Sequence, residues 1–353
     1  MTSFESWRSV CVQPETSLKE ALRTIDAGAL KIALVTDDEL TLLGVVTDGD
    51  IRRGLLKEVG LDAPVERVMQ KRPVTANDHD SRDKLISIMI NRGLEHIPIL
   101  NGKGELVGLS LLHELVQPIK KSNWVVIMAG GLGSRLGELT QNCPKPLLKV
   151  GDKPILEIII ERFVSHGFYN FYLSINYKKE MIKSYFGDGS QWGVEIRYLE
   201  ESKRLGTAGP LALIEEVPKD PFFVINADLL TKLDFTELLD FHTQSRAVAT
   251  LGARQVEHTF PYGVVLSEND QLVDFTEKPT HTYKVNAGIY LLEPRVLDVV
   301  EKNCFLDMPE LLQKLHFKKN RVSVFSFIDY WLDIGLKEDF YRANREHEEL
   351  FLE

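Results

Sequence analysis

The feature that most constrains the fold of this chain is an apolar run that ends in glycines. Residues 124–129, Trp-Val-Val-Ile-Met-Ala, carry no charged side chain and are followed by Gly130, Gly131 and Gly133. A continuous apolar run that stops at glycines is typical of a strand buried on both faces of a parallel sheet. Because such sheets occur almost only in α/β proteins, this part of the chain is predicted to be an α/β domain.

The glycines and a lysine beyond them indicate a phosphate site. Glycines let backbone N–H groups approach phosphate oxygens closely, because no Cβ intrudes. Two commoner phosphate loops are excluded: Leu136 stands where a dinucleotide-binding fingerprint needs its third glycine, and no Gly-Lys-Ser/Thr follows. Lys145 lies between Pro144 and Pro146, which fix the backbone on either side of it. Lys145 and Arg135 are therefore predicted to neutralise the phosphates of a nucleoside triphosphate.

Two aspartates that are far apart in the sequence predict a magnesium site. Asp228 follows the apolar residues 221–225, and ligands of open α/β sheets bind at the carboxyl ends of strands. Asp333 lies in the segment Trp-Leu-Asp-Ile-Gly of residues 331–335. Mg²⁺ is typically held by one or two carboxylates together with substrate phosphates and water, so this pair suffices. The open alternative is that either aspartate only caps a helix.

The first 120 residues contain an internal repeat. Residues 32–44 and 97–108 each hold two short apolar segments around a polar turn. The first copy ends in Leu-Leu-Gly and the second in Leu-Val-Gly. A helical pattern of apolar residues precedes each copy, with Ser17 and Ser81 as good N-cap residues. A tandem α-β-β repeat is predicted. The polar segment before Trp124 marks the boundary, which gives domains 1–119 and 120–353.

The first copy ends in Gly44-Val-Val-Thr47-Asp-Gly-Asp50, which resembles the pattern of cystathionine β-synthase (CBS) domains. The resemblance implies a regulatory tandem α+β CBS pair in which Thr47 and Asp50 contact the phosphate and ribose of an adenine or guanine nucleotide. The second copy has Leu111 and Glu114 at the equivalent positions, which argues against a second equivalent site. The alternative for Asp50 is that it only caps the helix after the strand.

The run from residue 130 to residue 147 resembles the signature of the sugar-1-phosphate nucleotidylyltransferases, which join a nucleoside triphosphate to a sugar 1-phosphate and release pyrophosphate. The resemblance implies a Rossmann-like mixed, mainly parallel, GT-A-like sheet. It makes Arg135 and Lys145 catalytic residues, with Asp228 and Asp333 as ligands of Mg²⁺. It also implies a nucleotide cradle formed by Met128, Ala129, Gly130, Gly131 and Gly133.

Three later segments resemble the sugar-phosphate pocket of this family, and all three are predicted to lie at strand ends. They are residues 261–265, 276–279 and 285–290. The resemblance implies that Gly263 and Asn286 contact the sugar, that Glu277 accepts hydrogen bonds from its hydroxyls, and that Lys278 pairs with its phosphate.

Residues 199–210 resemble the base-recognition loop of the family, which implies further nucleotide contacts from Glu201, Gly206, Thr207, Ala208 and Gly209. Glu201 aligns where several members that read thymine or uracil have Gln. A carboxylate only accepts hydrogen bonds and would match the adjacent N1–H and N2–H donors of guanine, so GTP is the first choice. The open alternative is an exposed Glu201 that contacts nothing.

Motif order and architecture together resemble small nucleotidylyltransferases fused to a CBS pair, such as the glucosamine-1-phosphate guanylyltransferases of bacterial legionaminic acid synthesis. GTP and glucosamine 1-phosphate are the expected substrates. Mannose-1-phosphate guanylyltransferase, or uridylyl or thymidylyl transfer, fits the same motifs. An explanation of another class is a nucleotide-sensing regulator without turnover, which the intact charged residues named above argue against. CBS pairs often associate, so a homo-oligomer is expected.

Charge and composition exclude other classes of partner. The formal net charge is −10, whereas binding to a nucleic-acid backbone requires a basic surface, so no nucleic acid is expected. No segment approaches the roughly 18 consecutive apolar residues of a membrane span, and the first residues lack the basic and apolar regions of a secretory signal. A cytoplasmic protein that does not associate with membranes is expected.

Overall fold

A computed structural model describes residues 6–351 of the chain. It divides into two compact units, Met1–Gln117 and Pro118–Glu353, close to the boundary expected from the sequence. The first unit consists of two copies of a β-α-β-β-α arrangement, which in chain order are β1 (Cys11–Val12), α1 (Leu18–Gly28), β2 (Ile32–Thr36), β3 (Leu42–Thr47), α2 (Asp48–Leu55), β4 (Ala76–Asn77), α3 (Arg82–Arg92), β5 (His96–Leu100), β6 (Leu106–Leu111) and α4 (Leu112–Val116).

The predicted α-β-β repeat is confirmed, and each copy forms its own three-stranded sheet. The strand orders are β1-β2-β3 and β4-β5-β6, with a parallel pair followed by an antiparallel hairpin in both. Ser17 and Ser81 cap α1 and α3 by accepting from the backbone N–H three residues on, as predicted. The strands β1 and β4 were not predicted, because a strand of two residues carries no hydrophobic period.

The second unit contains the remaining strands and helices around one large sheet. In chain order they are β7 (Lys121–Met128), β8 (Lys149–Val150), β9 (Lys153–Pro154), α5 (Ile155–Val164), β10 (Phe168–Ile175), α6 (Lys179–Phe186), β11 (Glu195–Glu200), β12 (Phe222–Asn226), β13 (Leu229–Thr231), α7 (Phe235–Ser245), β14 (Ala249–Thr259), β15 (Val264–Glu268), β16 (Gln271–Thr276), β17 (Thr280–Leu292), α8 (Met308–Phe317), β18 (Val322–Phe327), β19 (Trp331–Asp333) and α9 (Lys337–Phe351).

The large sheet has seven strands in the order β11-β10-β7-β12-β17-β14-β18. The neighbours β11, β10, β7 and β12 are mutually parallel, β17 runs antiparallel to both of its neighbours, and β18 is parallel to β14. The predicted mixed, mainly parallel sheet is therefore confirmed. The carboxyl ends of four adjacent strands meet along one edge, which is where ligands bind in open α/β sheets.

The central strand β7 is buried on both faces because helices cover the sheet on both sides. Val125 and Ile127 point into a core that includes α5 and α7, while Val126 points into a second core that includes α8. This explains why residues 124–129 read as a continuous apolar run rather than an alternating one.

The hairpin of β15 and β16 stands apart from these cores. Every residue of both strands is exposed to solvent, including the apolar Val265, Leu266 and Phe275. The predicted sugar-pocket residue Gly263 immediately precedes the hairpin, and Glu277 immediately follows it. None of the helices within residues 6–351 is both long enough and apolar enough to cross a bilayer.

Candidate active site

A cavity of about 390 Å³ lies at the carboxyl ends of β7, β10, β11 and β12. Its wall is built from loops that follow these four strands, together with the Lys145 turn and one residue after β19. The lining residues are 130–135, Lys145, Asn176, Lys203, Arg204, Asp228 and Gly335. Four of these residues carry a positive charge and one carries a negative charge, in a chain whose net charge is −10. The cavity is therefore locally suited to a polyanion.

The glycine loop after β7 forms one side of the cavity. Gly133 has a φ of +65°, a backbone conformation that is strained for any residue with a side chain. A Cβ at this position would also lie 2.9 Å from Thr140. Gly131 is exposed and open, which leaves its backbone accessible from the cavity. Ala129 is buried and donates its N–H to the Ser174 carbonyl. Nucleotide contacts from Met128 and Ala129 stay predictions.

Lys145 and Asp228 are brought together from positions far apart in the sequence. The Lys145 Nζ forms an ion pair with Asp228 Oδ2, and Lys145 is only 9% exposed. Lys145 begins a short 3-10 turn that follows Pro144, so its backbone is fixed as the flanking prolines predicted. The second oxygen, Asp228 Oδ1, is buried and has no hydrogen-bond partner.

Asp333 and Arg135 complete this charged group. β13 and β19 pair so that Leu229 lies opposite Asp333, and the Ile334 N–H donates to the Asp228 carbonyl at 2.9 Å. A Cβ on Gly335 would lie 3.7 Å from both Arg135 Nη1 and Asp333 Oδ1, so both side chains lie beside Gly335. The pKa of Asp333 is raised, first by partial burial of its carboxyl group and second by the negative charge of the nearby Asp228 carboxylate.

These two carboxylates fit the donor set of a magnesium ion. Asp228 Oδ1 is an unsatisfied buried acceptor, and the neighbouring Asp333 is destabilised as an anion. A divalent cation would relieve both penalties. No group of three or more His, Cys, Asp or Glu side chains suited to a metal occurs in the described part of the chain. Substrate phosphates would therefore supply further ligands, as is usual for Mg²⁺.

Glu201 lies beneath the glycine loop and is not part of the cavity wall. It is 8% exposed, so the alternative of an exposed, non-contacting glutamate is wrong. Its Oε1 accepts from the Ser174 hydroxyl at 2.8 Å, and its Oε2 accepts from the Leu205 N–H at 3.0 Å. Burial raises the pKa of Glu201. Its role in reading the base stays a prediction.

Residues 206–209 are held by hydrogen bonds to a neighbouring segment and are not among the residues that line the cavity. The N–H groups of Ala208 and Gly209 both donate to the Leu306 carbonyl. Thr207 donates its N–H and hydroxyl to Asp307 Oδ1, at 2.9 and 3.2 Å. A Cβ on Gly206 would lie 2.5 Å from the Leu306 carbonyl, which explains the glycine at that position. Nucleotide contacts from these residues stay predictions.

The predicted sugar-phosphate residues Gly263, Glu277, Lys278 and Asn286 are not among the residues that line this cavity. Gly263 and Glu277 are close to each other, since a Cβ on the glycine would lie 2.8 Å from Glu277 Oε2. Asn286 accepts from the Gly288 N–H and hydrogen-bonds the Tyr290 hydroxyl at 2.8 Å. The prediction that all three segments end strands was wrong for Asn286, because β17 continues through it from Thr280 to Leu292.

In the first unit, the predicted nucleotide-binding pair Thr47 and Asp50 forms a capping box at the start of α2. Asp50 Oδ2 accepts from the Thr47 N–H at 2.9 Å and from its hydroxyl at 2.6 Å, and Asp50 Oδ1 pairs with Arg53. The helix-capping role of Asp50 is therefore present in the fold. Nucleotide binding by the two residues stays a prediction.

Asp50→Ala should lower the unfolding free energy of the first unit by about 1 kcal/mol, because the capping box loses its acceptor. Denaturant unfolding of the full chain measures this. The matched control is Arg53→Ala, which removes only an exposed ion pair and should change the unfolding free energy by less than about 0.5 kcal/mol. Equal losses from both variants would contradict the capping role.

Gly130→Ala should destabilise the second unit by about 1–3 kcal/mol, the usual cost of overpacking. A Cβ on Gly130 would lie 2.5 Å from Oε1 of the buried Glu201, whose carboxylate is held in place by one hydrogen bond to each oxygen. The control is Gly131→Ala, where a Cβ meets nothing within 4 Å and φ is ordinary. Thermal unfolding should separate the two variants, and equal melting temperatures would contradict this contact.

Asn176, Lys203 and Arg204 are among the lining residues that were missed in the sequence. Asn176 directly follows β10, and Lys203 and Arg204 lie in the loop after β11. The available signal was two consecutive cations in an acidic chain, next to a segment already identified as a nucleotide loop. Asn176 gave no comparable signal.

Comparisons with known proteins agree with this architecture. Residues 124–349 match the nucleotidyl transferase family, and residues 4–57 and 65–119 match the CBS domain. The mannose-1-phosphate guanyltransferase of Candida albicans is 36% identical over 228 residues, covering 61% of this chain and 62% of that protein. The enzyme of the same name from Yarrowia lipolytica is 37% identical over 227 residues, covering 61% of each chain.

Among solved structures, HddC from Yersinia pseudotuberculosis superposes with a TM-score of 0.50 at 27% identity, covering 64% of this chain and 99% of that chain. The chain spans only about three fifths of the length of the mannose-1-phosphate guanyltransferases it matches. The family match itself extends over the glycine loop, Lys145, Asp228 and Asp333. The chain thus belongs to the nucleotidyl transferase family and carries a pair of CBS domains before its transferase domain.

Proposed function

We propose that this protein transfers a guanylyl group from GTP to a hexose 1-phosphate, giving a GDP-sugar and pyrophosphate. The single observation that carries the proposal is the convergence of Arg135, Lys145, Asp228 and Asp333 beside the glycine loop. Guanine is favoured because the relatives named above are guanyltransferases. Mannose 1-phosphate is favoured as acceptor for the same reason, and glucosamine 1-phosphate remains the prediction from the sequence.

The reaction needs no nucleophilic side chain. The second pKa of a phosphate monoester is about 6, so the acceptor is largely dianionic at neutral pH. Its oxygen attacks the α-phosphorus in line, one P–O bond forms, and the bond to pyrophosphate breaks. The protein contributes alignment and charge stabilisation.

Arg135 and Lys145 supply the positive charge where negative charge develops. Lys145 is held rigidly and almost completely buried, so its charge is little screened by solvent. Asp228 balances this charge through its ion pair with Lys145. Entry of a triphosphate gives Lys145 a second anionic partner.

We also propose that Asp228 and Asp333 hold Mg²⁺. Mg²⁺ bound by these two carboxylates would neutralise part of the charge of the substrate phosphates. The unsatisfied Asp228 Oδ1 and the raised pKa of Asp333 support this assignment. Asp228 would be the better ordered of the two ligands, because Lys145 fixes its second oxygen.

The proposal is tested by a matrix of five nucleoside triphosphates against four acceptors, read as pyrophosphate release with Mg²⁺ present. The acceptors are mannose, glucosamine, N-acetylglucosamine and glucose 1-phosphates. We expect the highest kcat/KM with GTP and mannose 1-phosphate. Preference for UTP or dTTP would overturn the guanylyl assignment, and preference for glucosamine 1-phosphate would replace the acceptor. A protein that binds nucleotide without any turnover would instead be a nucleotide-sensing regulator.

A further inference from the structure

Two cations of the cavity wall, Lys203 and Arg204, have no part in the chemistry above. Both are exposed, and both lie in the loop of residues 201–206 that follows β11. Lys145 is paired with Asp228, whereas no carboxylate forms an ion pair with Lys203 or Arg204 among the described residues. Their hydrogen-bond donors are therefore available to a ligand in the cavity.

The base of this loop is fixed by Glu201. The buried carboxylate binds the loop's own Leu205 N–H and the Ser174 hydroxyl on β10. The backbone of Gly130 lies against this carboxylate, since a Cβ added at Gly130 would be only 2.5 Å from Glu201 Oε1. Glu201 thus ties the loop that carries the two cations to both β10 and the glycine loop.

The loop with the two cations and the residue Asp228 follow strands at different positions along the sheet edge. Asp228 follows β12, and the glycine loop follows β7, whereas the two cations follow β11. From β12 to β11 is three strand spacings, roughly 14 Å at about 4.8 Å each. Lys203 and Arg204 therefore belong to the part of the cavity wall that follows β11, whereas Asp228 belongs to the part that follows β12.

The part of the cavity beside the loop after β11 is the one left for the nucleoside. The phosphate undergoing attack belongs beside Lys145, Asp228 and Asp333. The neighbour of β12 on its other side is β17, which carries the predicted sugar contact Asn286. With the acceptor on the β17 side, the nucleoside extends past the glycine loop towards β10 and β11.

We propose that Lys203 and Arg204 select guanine by donating hydrogen bonds to its O6 and N7, and that Glu201 is a positioning residue that holds their loop. This inference rests on the proposed guanylyl transfer. Lys and Arg carry only donors, and the O6/N7 edge of guanine carries only acceptors. Adenine presents an N6 amino donor at the equivalent edge, which these side chains would repel.

This assignment differs from the one suggested by the sequence, in which Glu201 accepts from guanine N1–H and N2–H. Both oxygens of that carboxylate already accept from Ser174 and Leu205, and the residue is buried below the loop. The two assignments place recognition on opposite edges of the base. Nucleotide analogues that change one edge at a time distinguish them.

The test compares GTP, 7-deaza-GTP, ITP and ATP as substrates of the full-length protein. 7-deaza-GTP lacks the N7 acceptor, and ITP lacks only the N2 amino group. For the wild type we expect kcat/KM to fall about tenfold or more with 7-deaza-GTP and to stay within about threefold with ITP. A large loss with ITP and none with 7-deaza-GTP would overturn the proposal in favour of Glu201.

The double variant K203A/R204A should lose about tenfold or more of kcat/KM for GTP, mainly through KM, and should no longer distinguish GTP from 7-deaza-GTP. The matched control is Lys219→Ala, an exposed lysine outside the cavity wall, which should behave as the wild type. Equal losses with GTP, 7-deaza-GTP and ATP would instead show that the two cations bind the phosphates, and would overturn the proposal.

The role of Glu201 is tested by Glu201→Gln and Glu201→Ala. An amide can still accept from the Leu205 N–H and donate to Ser174, so Glu201→Gln should keep the preference for GTP over ATP. Glu201→Ala should raise the KM for GTP with a smaller change in kcat. If base preference changes in Glu201→Gln, the carboxylate itself reads the base.

Failure of the proposed guanylyl transfer can be distinguished from failure of this inference about base recognition. If the wild type transfers no nucleotide to any sugar phosphate, titration calorimetry with GTP and 7-deaza-GTP still measures base recognition in the unreacting protein. Weaker binding of 7-deaza-GTP that disappears in K203A/R204A would support the inference. Equal affinities for both nucleotides in the wild type would overturn it.

Discussion

Replacing Lys145 with methionine should lower kcat for the proposed guanylyl transfer by about 10²–10³-fold, the usual loss when one preorganised charge-stabilising donor is removed. The side chain is 9% exposed, lies on a turn fixed by Pro144, and reaches Asp228 at the reacting end of the cavity. No other described lysine forms an ion pair with Asp228, so no neighbouring lysine supplies the same charge in the variant. Steady-state pyrophosphate release with saturating substrates measures the effect.

The matched control for Lys145→Met is Lys153→Met. Lys153 forms an exposed ion pair with Glu161 on the same unit, and its loss should leave kcat within about twofold. Because Lys145→Met also leaves Asp228 without its partner, unfolding curves of both variants show whether the fold is kept. A folded Lys145→Met protein with near wild-type kcat would show that Lys145 has no role in catalysis.

Asp333→Asn should abolish most activity and, at the same time, raise the melting temperature of the metal-free protein at neutral pH. Partial burial and then the Asp228 carboxylate raise the pKa of Asp333, so its ionised form is unfavourable in the fold. The native state then binds the proton more tightly than the unfolded chain does. Asparagine removes this penalty because it carries no charge.

The sign of the pH effect follows from the same shift. With a raised native pKa, the contribution of Asp333 to stability is present below the ordinary aspartate pKa and is lost as pH rises through the raised value. The melting-temperature gain of Asp333→Asn should therefore be absent in acid, develop as pH rises through that window and be complete above it. A constant gain at every pH would contradict this cause.

Magnesium provides a second readout of the same residue. If Asp228 and Asp333 hold Mg²⁺, adding the ion should raise the melting temperature of the wild type by mass action and should have little effect on Asp333→Asn. The control is Asp152→Asn, which changes an exposed aspartate away from the cavity wall. Equal Mg²⁺ stabilisation of wild type and Asp333→Asn would place the ion elsewhere.

Much of the fold could be predicted because the decisive signals are local. The run of residues 124–129 is apolar throughout, since β7 is covered on both faces, and the loop after such a strand has to lie at the ligand-binding edge. Ser17 and Ser81 cap their helices through contacts three residues away, which a sequence pattern can specify.

The remaining features depend on contacts between distant segments. Asn286 looked like a strand-end residue, but β17 continues past it because β14 pairs with residues 280–286 and both β14 and β12 pair with its last residues. Glu201 is buried because Gly130, Ser174 and Leu205 converge on it, and no local pattern announces that. The capping contacts of Asp50 and a nucleotide contact would require the same residue type, so the sequence could not separate them.

The central claim is that the charged residues around the glycine loop act on the α-phosphate of a nucleotide for transfer to a sugar phosphate. ³¹P NMR of the wild-type protein with GTP, Mg²⁺ and mannose 1-phosphate tests it most directly. A GDP-sugar diphosphate signal and a pyrophosphate signal are expected to grow in equal amounts as both substrates disappear. Unchanged GTP, or hydrolysis at a rate independent of the sugar phosphate, would contradict it.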